Sequence, residues 1–225
     1  MQTILSFDIG IYNLAFANVT INNDIQQSSD TTHAPSQTPT STQTPTPTPS
    51  PSHSHQEPID KSLHTVINDW GILCLKSDTD SKKNDLNILS KNLIALLYEK
   101  FSDVSYNTVL IENQPCMKNP TMKSIQMILY SYFVMQSYLE GREIDIKFVS
   151  ASNKLKVKYK TDVSNIKASS KYIQNKKYVV EYARNYLNLT QTYNNNWINV
   201  FEKEKKKDDL ADAYCQALHF IENNI

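Results

Sequence analysis

Glycine is scarce in this chain, with only Gly10, Gly71 and Gly141 among 225 residues. Glycine-rich loops let backbone N–H groups close around nucleotide phosphates. Three scattered glycines cannot build such a loop, so no nucleotide cofactor is expected. Cysteine is equally sparse. Cys74, Cys116 and Cys215 are odd in number and form no C-x-x-C or Cys/His spacing. Neither a disulfide framework nor a zinc site is expected, and the thiols read as reduced, in an intracellular protein that is not secreted. No apolar run reaches the length of a membrane span, and MQTILSFDIG enters an apolar strand without a basic leader. A signal peptide, transit peptide or membrane partner is therefore not expected.

Net charge is also missing, since 23 Lys/Arg balance 23 Asp/Glu, but the balance is global only. Residues 1–140 carry 8 basic against 13 acidic side chains, whereas residues 142–207 carry 15 against 6. A local excess of that size suits a polyanionic partner better than an ordinary solvated surface.

Apolar residues are nearly absent from 26–58, where seven of the nine prolines lie among Thr and Ser. Such a stretch cannot bury enough surface to offset its ordering entropy. It is expected to be a disordered Pro/Thr/Ser-rich insertion within one domain spanning 1–225, tolerated because longer loops cost little extra closure entropy. Its HSH is weak ground for a metal tract. Around it, apolar patterning predicts strands at 3–10, 14–21, 70–75, 108–113 and 143–151, and helices at 85–101, 121–139, 176–189 and 208–222. A polar linker carrying Trp197 is expected near 190–204. The order implies an α/β fold with a mixed five-stranded sheet, its first three strands an antiparallel meander, flanked by helices.

Four acidic side chains stand out against this frame. Asp8 lies inside the apolar first strand, on the face of Ile4 and Ser6, and is followed by Gly10. An aspartate there loses hydration at high cost unless it is paired or binds a metal. A hydrogen-bonded structural Asp at a turn is the plainer account. Glu112 ends the buried strand TVLIE, where ligands collect in open α/β sheets, although a solvated strand end also suffices. In KKKDDLADAYCQAL, Asp209 and Asp212 are neighbours on one helical face at the edge of an apolar stripe. Asp208 is turned away and suits a plain N-cap. Together, carboxylates from a first strand, a later strand end and a last helix are the ingredients of a two-metal phosphodiester-cleaving site.

In order, SFDIGIYNLAFA, VLIENQP and KKDDLADAYCQAL resemble the motifs of the RuvC-like Holliday junction resolvases of poxviruses and other large DNA viruses, within the RNase H superfamily. Fungal mitochondrial resolvases are near relatives of that group. The resemblance implies an RNase H-like fold and a homodimeric endodeoxyribonuclease that nicks four-way DNA junctions symmetrically, leaving 5′-phosphates. It implies two Mg²⁺ per site, with Mn²⁺ able to substitute, held by Asp8, Glu112, Asp209 and Asp212, or by Asp208 if the register is off by one. It also implies a basic residue after the fifth strand, for which Lys154 or Lys156 is favoured and Lys158 is available. Lys176 and Lys177 are further DNA-binding expectations. The family often has Lys or Arg after the first glycine, but Ile11-Tyr12-Asn13 stands here.

Tyr159, Tyr172 and Tyr178 could stack on opened bases, or simply pack. His219 reads as a surface histidine, and Cys116 has no ligand role. Met127, Ile128, Tyr130, Phe133, Val134 and Met135 could form a dimer seam or a core face. The work would be done where viral or organellar DNA is replicated. A ribonuclease H acting on RNA–DNA hybrids is the enzyme alternative. An actin-like or sugar-kinase ATPase shares the D-x-G of FDIG but lacks the glycines it needs.

Overall fold

The computed structural model describes residues 1–22, 60–76 and 85–225. The expected insertion at 26–58 lies outside them. Among the described residues, five strands form one mixed sheet: β1 (Gln2–Asp8), β2 (Asn13–Ile21), β3 (Thr65–Cys74), β4 (Thr108–Glu112) and β5 (Asp145–Val149). Their spatial order is β3-β2-β1-β4-β5. The β1–β2 and β2–β3 pairs are antiparallel, giving the expected meander, while β4 and β5 run parallel to β1. The C-terminal ends of β1, β4 and β5 therefore meet at one edge of the sheet.

The alternation of β1 sets which side chain faces which layer. Leu5, Phe7 and Ile9 enter an apolar cluster with α1 (Leu86–Phe101) and α2 (Pro120–Glu140), contributed by Leu93, Leu97, Leu129 and Phe133. Phe7 and Phe16 both pack edge-to-face with Phe101, with centroids 5.6 and 5.2 Å away, the arrangement that aromatic quadrupoles favour. Ile4 turns to the opposite cluster, with α3 (Lys171–Leu189), α4 (Gln191–Lys203) and α5 (Lys207–Asn224). Asp8 shares the face of Ile4.

Helix α5 is the central element of that second layer. Ala211, Ala213 and Ala217 are fully covered, and side chains this small let the helix backbone lie close to β1 and β2. Asn119 caps α2 through its side chain, Pro120 occupies the first turn, and Gly141 ends the helix at φ 61°, the left-handed conformation that favours glycine.

Three expectations need correction. The third strand starts at Thr65, not residue 70, because Thr65, Val66 and Ile67 pair with Ile21, Thr20 and Val19 across a bulge. Helix α3 starts at Lys171, not 176, with Ser170 Oγ accepting the Ile173 N–H at 3.3 Å. The expected polar linker is helix α4, kinked at Asn194 (φ −120°, ψ 17°). Asn194 is buried and acts on the sheet edge as a strand residue would. Its Oδ1 accepts the Ile67 N–H at 2.8 Å and its Nδ2 donates to the Thr65 carbonyl at 2.8 Å. Trp197 Nε1 adds a bond to the Ile67 carbonyl at 2.7 Å. Helix α4 thus covers the open edge of β3, satisfying groups that would otherwise invite another strand.

Candidate active site

The strand ends place two of the four singled-out carboxylates side by side. Phe7 and Ile111 are the last residues that β1 and β4 pair with each other, so Asp8 and Glu112 project from neighbouring strand termini. Between β1 and β2 the chain turns so tightly at Gly10 that a Cβ there would stand 2.3 Å from the Asn13 carbonyl oxygen. Glycine is required at that turn because no side chain fits. Helix α5 then brings Asp212 against Asp8. Past Val149 at the end of β5, a 3-10 turn (Asn153–Leu155) delivers Lys154.

The Lys154 ammonium sits among three carboxylates, 3.2 Å from Asp8 Oδ1, 3.3 Å from Glu112 Oε2 and 2.5 Å from Asp212 Oδ2. These three oxygens therefore lie within twice a hydrogen-bond distance of one another. Glu112 and Asp212 are 8% and 7% exposed. Burial, reinforced by the Asp8 carboxylate, pushes the Glu112 carboxyl up. Burial and then Asp8 do the same to Asp212, against the pull of Lys154. Burial alone would lower the Lys154 ammonium, but Asp8, Asp212 and Glu112 outweigh it and raise it. One ammonium thus neutralises only part of the acid charge.

Asp209 stands on the same wall. It is half-buried, and burial plus the charges of Asp208 and Asp8 raise its carboxyl. Its partner is Lys176 Nζ at 3.8 Å. Asp208 is ion-paired with Lys176, which holds its carboxyl down despite burial. It is not the N-cap: Lys206 occupies that position, and Asp208 lies inside the first turn. All of Asp8, Glu112, Asp209, Asp212, Lys154 and Lys176 line one cleft of about 720 Å³, whereas Asp208 lines a neighbouring groove.

The donor set fits a hard divalent cation. It is all carboxylate oxygen, crowded, desolvated and short of positive charge. Among the described residues, no three Asp, Glu, His or Cys side chains are spaced as they stand to hold one ion. The acids instead close on the Lys154 ammonium, which stands in for a cation.

The other expected residues separate. Lys156 Nζ bonds Asn153 Oδ1 at 3.3 Å, and Lys158 Nζ pairs with Asp60 Oδ2 at 2.6 Å, so Lys154 alone of the three reaches the acids. Tyr159 is tied by its hydroxyl to Asp60 at 3.0 Å, and Tyr178 is partly buried beside Tyr182. Tyr172 is 68% exposed on the cleft wall, with the Lys176 ammonium over its ring at 5.4 Å from the centroid. Ile11, Tyr12 and Asn13 line the cleft. His219 is partly exposed, bonding Asn223. The thiols of Cys74, Cys116 and Cys215 are all free.

Two buried glutamines went unnoticed in the sequence. Gln216, one turn beyond Asp212, donates Nε2 to Ser6 Oγ at 3.0 Å and to the Phe7 carbonyl at 3.2 Å. This fastens α5 to β1 directly beneath the Asp8–Asp212 pair. Gln126 of α2 accepts the Gln114 N–H at 2.8 Å and fixes the loop that leaves Glu112. The D-x-x-D-x-x-x-Q spacing was the only available hint of the first.

No family model matches the chain. It is 36% identical over 156 residues to an uncharacterised protein, L451, of Acanthamoeba polyphaga mimivirus, a match covering 64% of this chain. The match takes in 37% of that relative, so the chain spans little more than a third of its length. Among solved structures it is similar to the yeast mitochondrial Holliday junction resolvase, with TM-score 0.54 and 15% identity over 98% of this chain and 79% of that one. It is also similar to the fowlpox virus Holliday junction resolvase, with TM-score 0.51 and 12% identity over all of both chains. Against the fowlpox enzyme in complex with its substrate Holliday junction DNA, the TM-score is 0.50 and the identity 15%, over 98% and 97% of the two chains. At such identities the likeness speaks for architecture, and the chain has the RNase H-like fold in the form shared by the yeast mitochondrial and fowlpox virus resolvases.

Proposed function

We propose that the chain is a structure-selective endodeoxyribonuclease that resolves four-way DNA junctions by paired symmetric nicks. The observation that carries this reading is the meeting of Asp8, Glu112 and Asp212, from three separate elements, around one ammonium. Asp8, Glu112, Asp209 and Asp212 would hold two Mg²⁺, or Mn²⁺ in its place. Such ions supply phosphate charge neutralisation, a water of lowered pKa and a stabilised leaving oxygen.

The chain's own groups do the positioning. Asp8 and Glu112 stand on neighbouring strand ends and α5 holds Asp212 against them, so the side chains have only to exchange the Lys154 ammonium for the ions while the backbone keeps its place. Lys154, once its acid partners are neutralised, is placed to donate to a phosphate oxygen. Hydrolysis leaves a 3′-hydroxyl and a 5′-phosphate without a Ser/His or Cys/His pair. Lys156, Lys158, Lys176 and Lys177 serve as phosphate contacts, so affinity falls steeply with salt. Recognition then rests on junction shape and backbone.

Paired nicks need two sites, and a homodimer supplies them. Met127, Val134 and Tyr138 of α2 recur along one face and are 40%, 43% and 85% exposed, a seam for a second copy. Phe133 is fully buried and belongs to the core. In this reading residues 1–225 form one nuclease domain interrupted by the 26–58 insertion. It acts inside the cell, where viral or organellar DNA is copied. Among the described residues no helix is long and apolar enough to cross a membrane.

The test is a Mg²⁺-dependent cleavage assay on a four-way junction, a linear duplex and an RNA–DNA hybrid, with wild type and Asp8→Asn. Junction-selective cutting that Asp8→Asn abolishes is expected. Equal cutting of all three would end the proposal, and hybrid-only cutting would favour a ribonuclease H.

A further inference from the structure

Beside the acid cleft lies a second depression of about 610 Å³, between the loop at 165–167, helix α3 and the start of α5. Lys167, Lys176, Lys177, Lys205 and Lys207 line it. Its two acids are already engaged, Asp208 by Lys176 and Glu181 by Arg184. Among the described residues, Lys167, Lys177, Lys205 and Lys207 make no ion pair. Lys177 Nζ donates to the Lys167 carbonyl at 3.1 Å and Lys207 Nζ to the Glu204 carbonyl at 2.9 Å. A carbonyl cancels no charge, and each ammonium keeps two further donors. Lys167, Lys177 and Lys205 are exposed.

A cluster of like charges held together without counter-charges is self-repelling, and an anion that joins its members relieves that repulsion. Ile166, Ile173 and Val180 line the groove as well, so apolar surface lies among the lysines. Lysines interspersed with apolar side chains suit a sugar–phosphate backbone, whose charges are regularly spaced and whose sugars are partly apolar. A single small anion would leave most of these ammonium groups unused. Lys176 lines both this groove and the acid cleft, so the two depressions adjoin at that residue.

We propose that the groove is a second nucleic-acid site, in which the strand leaving the acid cleft passes Lys176 and lays its phosphates against Lys177, Lys167, Lys205 and Lys207. This deepens the nuclease reading and rests on it for the identity of the ligand. The site lies one groove away from the scissile phosphate, so it acts on binding and leaves the acids intact. It extends the expected contacts at Lys176 and Lys177 to three lysines on other segments.

The test is a salt titration of junction binding in the Asp8→Asn background, with and without Lys167→Gln and Lys205→Gln together. Each phosphate contact contributes about 0.9 to the slope of log affinity against log salt. The double variant is expected to lower that slope by about 2 and to weaken binding at least tenfold near 0.1 M KCl. Lys91→Gln on the exposed face of α1 leaves both unchanged. A junction trimmed to arms too short to leave the cleft is expected to bind the double variant and its parent equally. An unchanged slope, or equal weakening on trimmed and full-length junctions, overturns the proposal. Thermal melting checks that the double variant is folded. Cutting by the wild type is scored separately: a slope that falls in a protein that cuts nothing keeps the groove and removes the nuclease, whereas cutting with an unchanged slope does the reverse.

Discussion

Lys154 illustrates how much one side chain can decide. Three acids crowded from solvent repel one another, and the ammonium among them offsets part of that cost. Its removal leaves uncompensated buried charge, a loss of about 3–5 kcal/mol where such a group cannot protonate. Lys154→Met is expected to lower the apo melting temperature and to make Mg²⁺ more stabilising than in wild type, read by thermal melts with and without the ion. A uniform loss that Mg²⁺ does not repair would contradict this. Gln216 tests the same geometry from beneath. Gln216→Leu removes two hydrogen bonds and strands the Ser6 hydroxyl, a loss of about 1–3 kcal/mol. It should raise the Mg²⁺ needed for half-maximal cleavage while junction affinity holds. At Asp60, burial would raise the carboxyl, yet hydrogen bonds from Lys158, Ser62 and Tyr159 hold it at about 2. A lowered carboxylate stabilises the fold above its unfolded value of 3.8, and that contribution fades as pH falls through about 2. With allowance for solvent screening, Asp60→Asn is expected to cost about 1 kcal/mol at pH 7. It should also flatten the stability curve between pH 4 and 2 in acid-titrated denaturant melts.

Among the elements, α4 and α5 differ most in how far the sequence announces them. The stripe of Leu210, Ala213, Tyr214, Ala217, Leu218 and Ile221 marks α5 as a helix, and its alanines mark it as closely packed. QTYNNNWINVFEK reads as polar linker because asparagines favour turns. What makes it a helix is tertiary: Asn194 and Trp197 hydrogen-bond the edge of β3 that no strand pairs, and Phe201 stacks on Trp70 at 5.2 Å. Asn194→Leu leaves buried backbone groups of Thr65 and Ile67 unpaired. A loss of about 2–4 kcal/mol is expected, read as a denaturant midpoint shift with increased hydrogen exchange at Ile67. Protection unchanged at that amide would show that α4 does not guard the edge.

The whole molecule sets two features side by side, an acid cleft at the strand ends and a lysine-rich groove beside it. If two copies join through α2, Val134→Glu or Tyr138→Asp should give monomers by light scattering and uncouple the two nicks on a supercoiled cruciform. Dimers that persist would place the seam elsewhere. From the sequence by itself came the strand and helix periods, the meander, and the acids at a strand interior, a strand end and a helical D-x-x-D, because burial period and local charge are written along the chain. Which lysine enters the acid cluster, that Asp208 turns to Lys176, that a glutamine pins α5 to β1, and that a polar stretch folds as a helix were decided only in three dimensions. Each depends on partners 32 to 210 residues away, and a pairing over such a distance leaves no period in the sequence for a local pattern to reveal.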